Sequence, residues 1–291
     1  MHLGRRAALL GALAGFARPA AAACAAPYAQ IGIDTSIGPC TTAVLLDDQP
    51  ARMIVDTGSE RTVLTRAGVA RFALPLDEYV GTAMRGAGGR IDEHRNAIVH
   101  RLTLGGVALE PHEVSGPLSL PVVGLDMDGV TGLIGGDALR HFALDFNFAT
   151  RKLGLRAADS CVSGTADIIA AQVLRLTLLT IPVHLDGHLL TALVDTGSSA
   201  SMLNARGLSR MGLTPALQAA DPVVSSLALG GRFAAHRHRF STLQIGRHTI
   251  QAPALLTLDA PEPAYDLILG LDLLSRQNLL LSYSPAFAAI G

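Results

Sequence analysis

One stretch of this chain is written twice. Ile54-Val55-Asp56-Thr57-Gly58-Ser59-Glu60 and Leu193-Val194-Asp195-Thr196-Gly197-Ser198-Ser199 are near-copies, with their aspartates 139 positions apart. The likeness extends outward: Val44–Leu64 aligns with Val183–Leu203 without a gap, Gly88–Arg95 with Gly230–Arg237, and Leu133–Leu139 with Ile268–Leu274. Landmarks that recur in one order, with shifts small enough for loops to absorb, mark an internal duplication. The chain must therefore build two similar lobes, and its 291 residues suffice for two modest cores.

Period and punctuation predict that both lobes are mostly β. Ala51–Val55, Ile98–Leu104 and Leu189–Val194 are short apolar segments bounded by Gly, Pro or Asp, the pattern of strands. Gly105-Gly106 and Gly246-Arg247 stand where hairpins must turn, and glycine reaches positive φ without steric cost. Helices are expected to be few and short, over Thr65–Phe72, Asn204–Met211, Ala138–Phe142 and Leu273–Gln277. Asp137 and Asp272 precede the last two and are suited to capping them. The division expected is a signal segment over 1–23, a first lobe over 31–155, a linker over 156–171 without a partner in the repeat, and a second lobe over 172–291.

Charged residues make up 16% of the chain and the net charge is −1, which excludes a disordered or nucleic-acid-binding protein. Trp is absent, so packing must rest on Leu, Val, Ile and Ala. Arg5-Arg6, the apolar run Ala7–Ala17 and the small residues Ala20–Ala23 read as an export signal, by the general or the twin-arginine route. No later segment is apolar for long enough to be a transmembrane helix, so a periplasmic or secreted domain is expected. Cys24 lies at the cleavage point in a sequence resembling a bacterial lipidation site, although the usual leucine at its start is missing. Cys40 and Cys161 then remain, either as a disulfide or as two separate thiols.

The duplicated aspartate carries the chemistry. Two lobes packed about an approximate two-fold axis bring Asp56 and Asp195 face to face, and carboxyls about 3 Å apart share one proton. Such a pair can remove a proton from a water and deliver one to a carbonyl oxygen, which is general acid-base hydrolysis. Gly58 and Gly197 are expected to turn the backbone tightly and donate their amides to the carboxyls. Thr57 and Thr196 are expected to cross-link the two loops, and Ser59 and Ser198 to bond the outer carboxylate oxygens.

Asp-Thr-Gly-Ser after an apolar strand, a Gly-rich hairpin downstream, and two apolar residues with Gly before a short helix together resemble the aspartic proteases. The match is closer to the retropepsin-like branch, in a fused single-chain form of bacterial type. Each lobe is short and each carries a candidate flap, Gly86 to Arg90 with Gly88 and Gly89, and Leu229 to Arg232 with Gly230 and Gly231. The resemblance implies an all-β fold of two lobes, a peptide or protein substrate, a catalytic pair of Asp56 and Asp195, and neither metal nor organic cofactor. With both lobes in one chain, a monomer is expected. Neither flap holds a tyrosine; Tyr79, upstream of the first, reads as a packing residue.

Other motifs read more plainly. Asp126-Met127-Asp128-Gly129 is a turn, since a calcium loop needs ligands through a twelfth position. His94 and His236 match across the repeat as exposed hairpin residues without metal-ligand spacing. Ser198-Ser199 lacks a nucleophile-elbow pattern. Two alternatives remain open: a catalytically silent peptide-binding module of the cell envelope, and a glycosidase, whose carboxyls would stand about 5 Å or more apart.

Overall fold

The computed structural model describes residues 26–86, 91–111, 116–125, 127–158, 162, 166–228, 231–261 and 264–291. These residues form an almost wholly β structure with five short helices. The expected signal segment, with Cys24, lies outside them, as does Cys161. Among the described residues no helix is long and apolar enough to cross a membrane.

Each half is built around a strand that delivers its aspartate. Gln49–Val55 runs parallel to Gly132–Ile134, which in turn runs antiparallel to Val63–Thr65. In the second half His188–Val194, Leu267–Leu269 and Met202–Leu203 repeat the arrangement. The central strands are covered on both faces, which is why they read as continuous apolar runs rather than alternating ones. Each aspartate strand follows a tight hairpin, with Asp47-Asp48 and Asp186-Gly187 at positive φ, the twist-matched type of turn. Asp47 Oδ1 accepts from the amides of His100 and Arg101 at 2.8 and 2.7 Å, and Asp186 Oδ1 accepts from Ser241 and Thr242 at 2.8 and 2.7 Å. That side-chain capture ends Ile91–Val99 before Leu102–Leu104 begins, so the strand expected over Ile98–Leu104 is broken in two.

The halves are joined by one sheet. Ala29–Asp34, Lys152–Arg156 and Ala143–Asn147 come from the first half, and Leu279–Tyr283, Ala286–Ile290 and Asp167–Ala170 from the second. Ala143–Asn147 pairs antiparallel with Leu279–Tyr283, Asp145 opposite Leu280, so two edges that would each expose unpaired backbone close on one another. Leu144, Phe146, Leu279 and Leu281 are essentially inaccessible and belong to one core that runs through both halves. Part of the stretch 156–171 is therefore a strand rather than a linker. Asp167–Ala170 pairs with Ala286–Ile290 as Ala29–Asp34 pairs with Lys152–Arg156, an equivalence of hydrogen bonding that residue identity does not show.

Arg66–Phe72 and Ala205–Met211 form the expected helices, with Thr65 and Asn204 as caps that accept from Gly68 and Gly207 at 2.9 and 3.0 Å. Gly136–Leu139 and Leu271–Leu274 start earlier than expected, capped by Gly135 and Gly270 with no side-chain bond. Asp137 and Asp272 thus lie inside the first turn and are not the caps. A fifth helix, Pro215–Gln218, was not anticipated, although Thr214 before Pro215 is a start signal. Tyr79 corrects another expectation: it is 92% exposed, on a strand, Leu76–Arg85, in which every residue is exposed or half-buried.

Candidate active site

Asp56 and Asp195 each follow the last residue of a buried strand. Their amides donate to Ile134 O at 2.9 Å and Leu269 O at 3.0 Å, so the neighbouring parallel strand sets the height of each loop. Thr57 and Thr196, both wholly buried, then cross to the opposite half. Thr57 Oγ1 donates to Val194 O at 2.7 Å and Thr196 Oγ1 to Val55 O at 2.6 Å. Each hydroxyl also accepts from the other threonine's amide, at 3.1 and 3.3 Å. Each hydroxyl thus donates once and accepts once across the halves, which locks the two loops reciprocally.

The carboxyls meet inside this lock. Asp56 and Asp195 are half-buried, and each carboxyl lies against the glycine of the opposite loop. Gly58 N donates to Asp56 Oδ1 at 2.9 Å, and Gly197 N and Ser198 N donate to Asp195 Oδ1 at 2.8 and 3.0 Å. A Cβ on Gly58 would run into the Asp195 carboxyl, and one on Gly197 into that of Asp56. Neither glycine has positive φ, so close approach of the opposite carboxyl, not a tight turn, is what requires glycine. The serines differ from expectation too. Ser59 Oγ donates to Arg61 O and Ser198 Oγ to Ala200 O, at 2.9 and 2.8 Å, and so brace the loop backbone instead of the carboxylates.

Burial pushes the Asp56 carboxyl well above the usual range, and the neighbouring charge of Asp195 raises it further. Burial also raises Asp195, while the hydrogen bond from Asp56 and the loop amides partly offset it. The consistent state is one proton shared by the pair, which titrates as a unit.

A supporting ring escaped the sequence reading. Asp137 accepts from Thr62 N at 2.8 Å and from Thr62 Oγ1 at 2.7 Å, and Thr62 Oγ1 accepts from Gly135 N at 3.1 Å. Asp272 holds Ser201 in the same way, at 2.9 and 2.7 Å, and Ser201 Oγ accepts from Gly270 N at 2.9 Å. Burial raises the Asp272 carboxyl. The signal was present, since Asp137, Asp272 and the hydroxyl pair Thr62 and Ser201 all recur across the repeat.

A hairpin stands over each side of the dyad loops. Leu76–Arg85 pairs with Ile91–Val99, and Val223–Ala228 with Gly231–Arg239. Gly86 is buried, Gly231 sits at φ +115 and Arg232 is exposed opposite Leu227; Gly88, Gly89, Arg90 and Gly230 lie outside the described residues. Beside Asp56, Ile54, Val63 and Leu133 form an apolar cluster reached by Met84 of the first hairpin and Leu227 of the second. Beside Asp195, Leu193, Met202 and Ile268 form its counterpart, with Val224 and Phe233.

Cys40 is a free, wholly buried thiol, pushed up to about 12 by burial and then by the charge of Asp34. Its backbone belongs to the site, because Cys40 N donates to Thr196 O at 3.0 Å. His94 and His236 are half-buried rather than exposed. Among the described residues no three His, Cys, Asp or Glu side chains are grouped to hold a metal ion.

This architecture is that of the aspartic proteinases. The aspartic proteinase from Irpex lacteus superposes with a TM-score of 0.54 at 14% identity, over 90% of this chain and 96% of that one. The model of the aspartyl protease family matches residues 42–138 and 181–273, one stretch in each half. The chain belongs to the aspartyl protease family, in its two-lobe form. No curated protein matches it in sequence.

Proposed function

We propose that the protein is an aspartic endopeptidase in which Asp56 and Asp195 activate a water to hydrolyse a peptide bond. The observation that supports this most directly is the pair of carboxyls, each set against the opposite loop's glycine, on loops locked by Thr57 and Thr196. The ionised member takes a proton from a water held between the carboxyls, while the protonated member donates to the scissile carbonyl oxygen. The resulting tetrahedral species collapses as the leaving nitrogen is protonated, and no bond to the enzyme forms. A substrate would lie extended beneath the hairpins, placing apolar side chains against the clusters beside each aspartate. A hairpin in each half favours the retropepsin-like branch. We further propose that the enzyme acts as an exported monomer.

Digestion of a peptide library across pH by the wild type, Asp56→Asn and Asp195→Asn tests this. Cleavage by the wild type alone is expected, with loss of about 10³-fold or more in either variant and inhibition by a statine-type transition-state analogue. Equal cleavage by all three proteins would overturn the role of the dyad. Peptide binding by the wild type without cleavage at any pH would make the protein a silent binding module.

A further inference from the structure

At one place the two halves fill equivalent positions with different chemistry. Thr131 and Asp266 correspond: their amides donate to Arg52 O and Thr191 O, each at 2.8 Å, and their carbonyls accept from the amides of Thr65 and Asn204 at 2.8 and 3.2 Å. In the second half the Asp266 carboxylate is wholly buried. Its Oδ2 accepts from Thr191 N at 2.8 Å, and its Oδ1 lies 2.9 and 3.1 Å from Nε of Arg206 and Arg210. In the first half Thr131 replaces the acid and Ala67 replaces Arg206, while Arg71 keeps the place of Arg210.

Beside Thr131 is a cavity of about 500 Å³ lined by Arg71, which is exposed, and by Asp128, Thr131, Leu125, Met127 and Val130. The Arg71 guanidinium lies 5.2 Å from the ring of Phe72 and meets no carboxylate among the described residues. Asp128 is exposed on the same cavity and does not pair with Arg71. One cation and one anion thus face a common space without closing on each other, with an apolar wall beside them.

We propose that this cavity binds a short peptide with free termini and apolar side chains, its carboxylate on Arg71 and its ammonium on Asp128. The carboxylate would supply to Arg71 the partner that Asp266 supplies to Arg210, in the forked geometry guanidinium groups favour. The apolar part would bury against Leu125, Met127 and Val130, and the volume is within the range of small-molecule sites. Leu125 and Val130 also belong to the cluster that flanks Ile54, so occupancy would press on the wall beside Asp56. Neither Asp56 nor Asp195 lines the cavity, and binding there does not depend on their chemistry.

Leucyl-leucine, titrated calorimetrically into the full protein, is the probe. Saturable binding is expected, weakened about tenfold or more by Arg71→Gln, the loss of one charge-assisted contact, and retained by Asp56→Asn. Thr131→Asp, which offers Arg71 an internal carboxylate, should weaken it as well. N-acetylated and C-amidated leucyl-leucine should each bind less tightly than the free dipeptide. No saturable binding by the wild type, equal affinity in Arg71→Gln, or binding abolished by Asp56→Asn alone would overturn the proposal. Equal affinity for the N-acetylated form would overturn the place given to Asp128.

Discussion

The loop carrying Asp56 and the loop carrying Asp195 make the same bonds: amide to the parallel strand, threonine to the opposite half, glycine amide to the carboxyl, and serine hydroxyl to its own loop. Behind them the halves differ. Asp266 ties two arginines where Thr131 lines a cavity, Arg175 of the second half pairs with Glu60 at 2.6 Å, and Ser199, in the place of Glu60, lies against Gly38 instead. The difference follows from which contacts cross the axis. Thr57 requires Thr196, and Gly58 must clear the carboxyl that Gly197's loop presents, so one copy is not free to change alone. Among the described residues, the hydrogen bonds and ion pairs of Thr131 and Asp266 stay within their own half, and each half could fill that position independently.

The strongest way to break the likeness of the loops is to place a methyl where the carboxyls meet. Gly58→Ala and Gly197→Ala should both abolish peptide cleavage and cost about 1–3 kcal/mol of stability by overpacking, measured by denaturant unfolding. Retained activity in either would mean that the loops are not held as closely as their bonds require. Outside the loops the halves should respond unequally. Asp266→Asn removes the buried partner of Arg206 and Arg210, which can turn partly to solvent, and should cost about 2 kcal/mol. Arg71→Gln, at the matching place in the first half, should change stability by less than about 0.5 kcal/mol.

The shared proton offers a subtler probe. Both folded carboxyls are raised, so protonation favours the folded state. That contribution is fully present below the unfolded value of about 3.9 and is lost as pH rises through it toward the raised folded values. Asp56→Asn should therefore melt higher than the wild type at neutral pH and close to it near the acid end. A constant difference across pH would contradict the burial of the pair. A smaller effect than that of Asp266→Asn should come from Tyr283, whose buried hydroxyl has no hydrogen-bond partner among the described residues and whose ionisation is opposed by burial and then by the charge of Asp56. Its counterpart in the first half is Phe148. Tyr283→Phe should leave the fold intact and stabilise it by about 1 kcal/mol, read from thermal unfolding.

Much of this site was legible beforehand, because its main demands are on residue type. An acid, a hydroxyl and a glycine at fixed spacing, twice, leave few arrangements open. Side-chain direction was less legible. Ser59 and Ser198 could have bonded carboxylates or carbonyls, and only the packed loop makes the carbonyls of Arg61 and Ala200 the nearer acceptors. Asp137 and Asp272 read as caps because an acid before a helix commonly is one, but the helices begin two residues earlier and the carboxylates accept from Thr62 and Ser201. Tyr79, upstream of the first flap, reads as a packing residue, yet it is exposed in a strand, Leu76–Arg85, whose residues are all exposed or half-buried.

By itself the sequence determined the duplication, the β character of both halves, and the pairing of Asp56 with Asp195, since periodicity and repeated residue types are local properties that survive without coordinates. Only the tertiary structure decided that Asp167–Ala170 joins the common sheet, that glycine is needed to clear the opposing carboxyl, and that Arg71 faces a cavity where Arg210 faces Asp266. Those facts depend on which atoms meet across long separations in the chain, and such distances are set by packing rather than by any short stretch of residues.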